Sequence, residues 1–293
     1  MIRRFYLKPV PAIALGLVFA LFIFTGQAVA ESRLPRLILI IDDIGDNLAQ
    51  GVAAVALPGP VAYSVLPHTP HSKTLARMAH SQGKEVMLHV PMANTHNRRL
   101  GPGALTLDLD KASLQQILKQ DIAAIPYVSG VNNHMGSLLT QRGKQMSWVM
   151  DVIAEQGLFF LDSVTTAKTT AWKSAYQRGV PWMMRDVFLD HEQTTEFVDK
   201  QFRYALRLAR QQGFAVLIGH PYPVTVSYLA EAIPMLGEQG IQLVAPSGFL
   251  FQQAEARRLV DAQRAAAELS QQSADKACCK TALAGDGSIQ AKP

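Results

Sequence analysis

Short apolar runs alternate with amphipathic stretches from Leu37 to about residue 250, and this alternation limits the possible folds more than any other feature. The apolar runs have the length of strands, and the stretches between them have the 3.6-residue periodicity of helices. Strands that alternate with helices predict a parallel sheet. Seven or eight such units favour a (β/α) barrel, although periodicity alone does not distinguish a barrel from an open sheet. The predicted strands are residues 37–41, 61–65, 85–89, 130–135, 158–161, 181–189, 214–219 and 241–244.

The two ends of the chain differ in composition from this central part. Residues 1–30 combine a basic start, an uninterrupted apolar run and small residues at Ala28 and Ala30, which is the pattern of a secretory signal peptide. An uncleaved membrane anchor is the alternative, but the apolar run is short for a spanning helix. Residues 31–252 hold the predicted barrel domain. Residues 253–293 are rich in Ala, Gln and Ser, and they are predicted to begin as a helix and then become disordered.

Removal of the predicted leader changes the charge of the chain. The leader contains three basic residues and no acidic ones, so the net charge of +5 falls to +2 in the exported part. This value is too near neutral to indicate a nucleic-acid partner. Cys278 and Cys279 both lie in the tail, so the barrel has neither a disulfide framework nor cysteine ligands for zinc. No later stretch is long and apolar enough to span a membrane, which predicts a periplasmic protein.

Asp and His residues stand at the ends of several predicted strands. In a parallel barrel the active site lies at the carboxyl ends of the strands, so these residues are predicted to converge. Asp42 and Asp43 follow the first strand side by side, where two ionised carboxylates would repel each other. A turn would explain that pair alone, but Asp or His at five strand ends indicates a shared metal or acid–base site. The other polar residues at these ends are His89, Asn133, His134, Asp162, Arg185, Asp186, Asp190, His191 and His220.

A site of this composition suits a divalent metal. Two or three histidines with one aspartate and no cysteine are typical of Zn²⁺ or another cation held by nitrogen and oxygen donors. Such a cation lowers the pKa of bound water from ~15.7 toward ~7 and polarises a carbonyl oxygen. A neighbouring carboxylate can accept the proton of the water, and a histidine across the site can protonate a leaving group.

Five motifs in a fixed order carry a resemblance to a known family. IDDIG, EVMLHVPM, NNHMGS, FFLDS and IGHPYP resemble the divergent polysaccharide deacetylase family (the YibQ-like group) of the NodB-like superfamily, over about residues 35–250. The resemblance implies a distorted (β/α) barrel and metal-dependent removal of acetyl groups from N-acetylated sugars. It implies that Asp42 is the general base and that Asp43 is a metal ligand. His89 matches the first histidine of a His-x-x-x-His motif, and His220 matches the general acid.

The chain departs from the main family after His89. Ala93 stands four residues later, where a second metal-binding histidine is expected. His134, at the end of the next strand, is therefore the candidate for the third ligand beside Asp43 and His89, and His96 is the alternative. The NNHMGS segment also replaces a segment that contacts substrate in the main family, so the substrate contacts are not inherited.

Five more residues receive roles from their positions. Arg185 and Asp186 are predicted to assist catalysis as a buried pair that tunes the base, and a structural salt bridge is the alternative. Asn133, Asp162 and His191 are predicted to contact the substrate from the ends of their strands.

These features together predict an exported, metal-dependent hydrolase of the cell envelope, with Zn²⁺ as its cofactor and an acetylated glycan such as peptidoglycan as its substrate. A non-catalytic envelope protein that binds a glycan or another partner on a deacetylase fold is the second hypothesis, and Ala93 favours it. Hydrolysis of a phosphoester is the third hypothesis. It is disfavoured because the sequence has no obvious Gly-rich phosphate-binding loop.

Overall fold

The structure of the protein is a computed structural model that describes residues 34–284, with side chains described through residue 268. The predicted signal peptide, residues 1–30, and the end of the tail, residues 285–293, lie outside the described residues. Between residues 34 and 284, nine β-strands alternate with eight α-helices and two short 3₁₀ helices.

The strands are β1 (Arg36–Ile44), β2 (Ala62–Val65), β3 (Glu85–Met92), β4 (Val128–Met135), β5 (Phe159–Asp162), β6 (Trp182–Met184), β7 (Val187–Phe188), β8 (Phe214–Gly219) and β9 (Gln242–Leu243). The helices are α1 (Leu48–Val55), α2 (Ser72–Ser81), α3 (Lys111–Ala124), α4 (Gly143–Glu155), α5 (Ala171–Gln177), α6 (Thr195–Gln212), α7 (Pro223–Ala232) and α8 (Pro246–Ala284). The 3₁₀ helices are Leu139–Gln141 and Ile233–Met235.

Eight strands form one continuous parallel sheet in the order β6–β5–β4–β3–β2–β1–β8–β7. β1 pairs with β8 from Arg36 to Ile41, but its pairing with β2 begins only at Ile40. The ninth strand, β9, fills the space beside the start of β1, where Gln242 pairs with Arg36. The prediction of seven or eight parallel strands in a (β/α) barrel is therefore confirmed.

Two residues close the sheet into a distorted barrel. The sequence predicts a single strand over residues 181–189, but this segment forms β6, which pairs with β5, and β7, which pairs with β8. Arg185 donates its backbone N–H to the carbonyl of Asp162 (3.0 Å), and Asp186 donates to the carbonyl of Val216 (2.9 Å). The prediction of one strand is wrong because the chain changes partners where the two edges of the curled sheet meet.

Alternate residues of the strands build two separate apolar layers. In β1, Ile41 packs in the layer beneath the helices and Ile40 packs inside the barrel, and both are fully buried. A parallel strand that is covered on both faces is apolar at every position, as in this stretch. At the amino end of the strands, the rings of Phe214 and Phe249 lie 4.8 Å apart and close the interior. Polar residues occupy the opposite end.

The last helix extends beyond the barrel. α8 begins at Pro246, so it crosses the predicted domain boundary at residue 252. Its first turn packs on the barrel through Phe249, whereas the side chains of residues 251–268 are exposed. Within residues 34–284, no helix combines the length and the apolar character needed to cross a membrane.

A buried carboxylate braces two loops at the carboxyl end of the barrel. Asp121 of α3 is fully buried, and its Oδ1 lies 2.8 Å from Nε2 of His68, which follows β2 with a left-handed backbone (φ 57°). Gly103, in the loop between β3 and α3, packs on the same carboxylate so closely that a Cβ there would lie 2.3 Å from it. Burial raises the pKa of Asp121 to about 8.

This raised pKa predicts a pH dependence of stability. The folded protein binds the proton of Asp121 more tightly than the unfolded chain does, so its stability falls as the pH rises from about 4 to about 8. Asp121→Asn removes this contribution, and the slopes of the two proteins should differ by up to about 1.4 kcal/mol per pH unit. Urea unfolding at pH 5, 6 and 7 measures the slopes, and parallel curves would contradict the prediction.

The barrel interior leaves no space beside Gly130. A Cβ on this β4 residue would lie 2.3 Å from the ring of Phe159 on β5. Gly130→Val should therefore lower the free energy of unfolding by about 1–3 kcal/mol through overpacking. Gly143→Ala is the matched control, because a Cβ there has no neighbour within 4 Å, and it should not lower the urea midpoint. An unchanged midpoint for Gly130→Val would refute this account.

Candidate metal centre

Three predicted metal ligands meet at the carboxyl end of the barrel. Asp43 of β1, His89 of β3 and His134 of β4 place one donor atom each within 4.8 Å of one another. Asp43 Oδ1 lies 2.8 Å from His134 Nδ1 and 3.2 Å from His89 Nε2, and the two histidine nitrogens are 3.2 Å apart. Three separate strands thus bring together the residues that the sequence predicts as one metal site.

The path of β1 explains how two adjacent aspartates reach the same point. The strand runs to Ile44, so Asp42 and Asp43 lie within it and not after it. Neighbouring residues of a regular strand point to opposite faces. Asp43, however, has a left-handed backbone (φ 58°), and its carboxylate reaches His89, whose Nε2 also lies 3.6 Å from Asp42 Oδ2. Both carboxylates therefore approach one imidazole.

Asn132 determines which nitrogen of His89 faces the aspartates. Its Nδ2 donates to Asp42 Oδ1 (2.8 Å), and its Oδ1 lies 2.7 Å from His89 Nδ1. An amide oxygen can only accept, so Nδ1 of His89 carries a proton. In the neutral ring, Nε2 then has a lone pair that points at Asp43 Oδ1. A hydrogen bond to the far nitrogen is the usual way in which proteins orient a metal-binding histidine.

The oxygen and nitrogen atoms of the cluster face one another, so a positive charge between them would stabilise the arrangement. Asp43 Oδ1 is buried, and the groups that face it are the ring nitrogens of His134 and His89. Burial alone would lower the pKa of His89, but the charges of Asp42 and Asp43 raise it above its ordinary value. A proton or a divalent cation meets the same need. Donor atoms around a tetrahedral zinc lie about 3.3 Å apart, near the spacings seen here, so these residues fit a divalent metal.

Neither Ala93 nor His96 belongs to this cluster. His96 is exposed in the loop after β3. Ala93 is buried, and it donates its N–H to the carbonyl of Leu105 (2.9 Å) while its carbonyl accepts from Leu139 (3.0 Å). The position that holds a second histidine in the main family is thus a structural anchor in this chain, and His134 offers the third donor.

His220 faces the other oxygen of Asp43 and has a carboxylate of its own. Its Nδ1 lies 2.9 Å from Asp190 Oδ1, and its backbone N–H donates to Asp190 Oδ2 (2.6 Å). Thr225 donates to the same Oδ2, so the buried Asp190 is fully engaged. Burial opposes the charged form of His220, but Asp190 and then Asp43 raise its pKa to about 9. Nε2, 3.8 Å from Asp43 Oδ2, is therefore placed as a proton donor.

Arg185 and Asp186 do not pair with each other. Arg185 donates from Nε to the carbonyl of Ser163 (2.7 Å) and from Nη2 to that of Val164 (2.8 Å). Asp186 Oδ2 accepts the backbone N–H of Val216 (2.8 Å), and this bond adds to the backbone contact that holds Asp186 against β8. No ion pair joins Arg185 to Asp186 among the residues with described side chains, because the two side chains bind opposite edges of the sheet. Their catalytic roles stay predictions.

Asn133 and Asp162, which are predicted to contact substrate, support left-handed turns at strand ends. Asn133 donates to the carbonyl of Met135 (2.7 Å) and accepts from the N–H of Ser163 (3.0 Å). Asp162 accepts from the N–H of Val164 (2.9 Å). Met135 and Val164 have φ values of 55° and 48°, which strains any residue with a side chain and a β-branched one most. Both polar side chains are thus buried against the protein itself.

Sequence reasoning misses Asn132, and the alternation of β4 is the signal that finds it. Asn132 and His134 lie on one face of the strand, and Asn133 lies on the other. The register agrees, because Asn132 pairs directly with His89 of β3. Of the two neighbouring asparagines, the one on the face of a predicted metal ligand supports the site.

Asp190 is the second supporting residue, and the sequence places it at the end of the sixth predicted strand without assigning it a role. It adjoins His191, which is exposed and whose ring centroid lies 6.3 Å from that of Phe188. Asp190 is 2% exposed, and its partners are His220 and Thr225, which are distant in the chain. No local pattern distinguishes the two positions, because the difference arises from tertiary contacts.

Two clefts meet beside Asp43 of this site. The larger has a volume of about 410 Å³ and extends past His134 to the loop between β3 and α3. The smaller has a volume of about 100 Å³ and extends past His220 and Tyr222. Asp43 and Asp46 line both. The site therefore has room for a sugar unit on one side and for a small group on the other.

Comparisons with known proteins identify related chains. A sequence profile of the divergent polysaccharide deacetylase family matches residues 39–250. The uncharacterized protein YibQ of Escherichia coli (strain K12) is 36% identical over 215 residues, which cover 73% of this chain and 67% of YibQ. An uncharacterized protein of Haemophilus influenzae (strain ATCC 51907 / DSM 11121 / KW20 / Rd) is 33% identical over 228 residues, which cover 78% of this chain and 80% of that protein.

A solved structure shares the fold. The crystal structure of an uncharacterized protein from Agrobacterium tumefaciens C58 is similar with a TM-score of 0.72 and 22% sequence identity, over 74% of this chain and 89% of that chain. At this level of identity the likeness shows the fold alone. The family profile, however, spans all five motifs and the three residues of the candidate metal centre. This chain belongs to the divergent polysaccharide deacetylase family.

Proposed function

We propose that this protein is an exported, metal-dependent hydrolase that removes N-acetyl groups from a polysaccharide of the cell envelope. The observation that carries the proposal is the convergence of Asp43, His89 and His134 beside the His220–Asp190 pair, in a chain of a deacetylase family. A metal site alone would not indicate amide hydrolysis. A carboxylate and a proton donor next to it supply the remaining parts.

Asp43, His89 and His134 would hold the cation, and Zn²⁺ fits their nitrogen and oxygen donors. When bound, the cation supplies Lewis acidity toward the acetyl carbonyl oxygen and toward water. Asp43 suits the role of an anionic ligand. Burial would raise its pKa, but His134 and His89 together hold it well below its ordinary value.

Two groups of the chain divide the proton transfers. Asp42 is the proposed base: Asn132 holds one of its oxygens, and the other lies 3.6 Å from His89 Nε2 on the metal side. His220 is the proposed acid. Asp190 fixes the ring through Nδ1, which leaves Nε2 directed toward Asp43, where it can protonate the departing amine.

The proposed substrate is an N-acetylated glycan, and peptidoglycan is the candidate in the cell envelope. The predicted signal peptide over residues 1–30 supports export to the periplasm, where this polymer lies. The cleft of about 410 Å³ beside Asp43 has room for a sugar unit. These features support a polymer that reaches the site from the side of the loop between β3 and α3.

A non-catalytic glycan-binding protein on the same fold is the second candidate. Ala93 favours it, because the second motif histidine of the main family is missing. The burial of Asp42, which is 2% exposed, also favours it, because a general base must reach the water that it deprotonates. The two candidates agree on glycan binding and differ in turnover.

Metal content tests the proposed metal site. The purified protein should hold about one Zn²⁺ per chain after dialysis, as a three-ligand site does. His89→Ala and His134→Ala should each lose the metal, because two remaining ligands do not retain it. His96→Ala is the matched control and should keep it. Elemental analysis and calorimetric titration with Zn²⁺ measure this, and retention by both cluster variants would place any bound metal elsewhere.

Acetate release tests the proton-transfer roles. Asp42→Asn and His220→Ala should each lower kcat on N-acetylated chito-oligosaccharides or peptidoglycan by about 10²–10⁴-fold, because each removes one proton-transfer partner. Both variants should keep their zinc, which separates a lost proton transfer from a lost metal. His96→Ala again serves as the control. Undiminished acetate release by Asp42→Asn would rule out its role as the base.

Zinc-loaded protein that binds these glycans but releases no acetate from any of them would support the second candidate.

A further inference from the structure

The loop between β3 and α3 forms one wall of the larger cleft. This loop, residues 93–110, contains two arginines, Arg98 and Arg99, and its two aspartates, Asp108 and Asp110, stand at its far end next to α3. Arg99 lines the cleft together with Asp43 and His134 of the candidate metal centre. Its side chain is exposed, and it makes no hydrogen bond or ion pair with any residue in the part of the chain that the structure describes.

Asn94 holds the backbone of this loop in one conformation. Its Oδ1 accepts the N–H of Arg98 (2.9 Å), and its Nδ2 donates to the carbonyl of the same residue (3.0 Å). At the base of the loop, Leu105 donates its N–H to the carbonyl of Pro91 (2.8 Å). Arg99 therefore follows a hydrogen-bonded residue of the loop beside the cleft, and its guanidinium is available to a ligand.

A guanidinium without a protein partner at the wall of a substrate cleft is suited to an anion. A carboxylate matches it through two parallel charge-assisted hydrogen bonds. We infer that the cleft takes an N-acetylated glycan that carries a carboxylate, and that Arg99 binds this carboxylate. The inference rests on the proposed function, which supplies the glycan, and it adds the charge of the substrate and the residue that selects it.

The other charged groups of the cleft determine where the carboxylate fits. Asp46 lines both clefts and so lies where the two meet, and its charge would repel an anion there. Arg99 lines the larger cleft. The carboxylate therefore belongs to a part of the glycan away from the acetyl group that reacts beside Asp43. It can be a lactyl ether on the sugar, as in N-acetylmuramic acid, or a carboxylate of an attached peptide.

Calorimetric binding measurements test this inference without any need for turnover. The probes are three tetrasaccharides: fully N-acetylated chitotetraose, a peptide-free strand of alternating N-acetylglucosamine and N-acetylmuramic acid, and the same strand with stem peptides. Full-length protein with Asp42→Asn is titrated, so that deacetylation does not alter the ligand. Arg99→Gln is compared in this background with Arg98→Gln, because Arg98 is also exposed and one residue away but does not line the cleft.

At least one carboxylated strand should bind about tenfold more tightly than chitotetraose, and added salt should reduce the difference. Arg99→Gln should abolish the preference for the carboxylated strand over chitotetraose, whereas Arg98→Gln should keep it. Preference for the peptide-free strand assigns the carboxylate to the sugar, and preference for the peptide-bearing strand alone assigns it to the peptide. Equal binding of all three probes, or a preference that survives Arg99→Gln, would overturn the inference.

Binding and turnover separate the inference from the proposed function. In one outcome, the preference for carboxylated strands depends on Arg99 while neither the unsubstituted protein nor any variant releases acetate. In that case the carboxylate site stands and the hydrolase proposal fails. If acetate is released equally from neutral and carboxylated glycans and binding shows no preference, the hydrolase proposal stands and the carboxylate site fails.

Discussion

The carboxylate of Asp43 needs positive charge beside it, and this requirement organises the carboxyl end of the barrel. Two imidazoles face one of its oxygens, and a third lies near the other. Two of these rings are oriented by a hydrogen bond at Nδ1, the ring of His89 by Asn132 and the ring of His220 by Asp190. A carboxylate oxygen that is buried against lone pairs alone would be destabilising, and Asp43 Oδ1 is buried. The arrangement therefore suits a cation.

The connection between β6 and β7, at Arg185 and Asp186, curls the sheet so that the three imidazole rings lie close together. Because the chain passes from β6 to β7 there, the edge that carries β5 meets the edge that carries β8. Arg185 reaches the carbonyls of Ser163 and Val164 after β5, and Asp186 binds the backbone of β8. A flat sheet with the same strand order would leave His220 far from β4 and β5. Curvature, and not strand order alone, makes the site.

The sequence predicts much of the fold, because each strand is covered on both faces and reads as a short apolar run. It also predicts that Asp43, His89 and His134 converge, because polar residues at the ends of parallel strands meet at one end of the barrel. The division of residues 181–189 between two edges escapes it, since no local residue pattern encodes where a sheet closes. Asn132 and Asn133 look alike until the strand register assigns their faces. The partner of Asp190 is thirty residues away in the chain, at His220, and only the fold joins the two.

Four residues other than glycine adopt a left-handed backbone in or just after the strands that end at the site: Asp43, His68, Met135 and Val164. Each such conformation costs about 1–2 kcal/mol, and the large apolar core below makes the cost tolerable. Glycine at these positions would relax the backbone and also free the turns that aim the site's side chains. Selection for heat resistance alone would therefore favour changes in the turns that shape the site, so stability and the geometry of the site are opposed there.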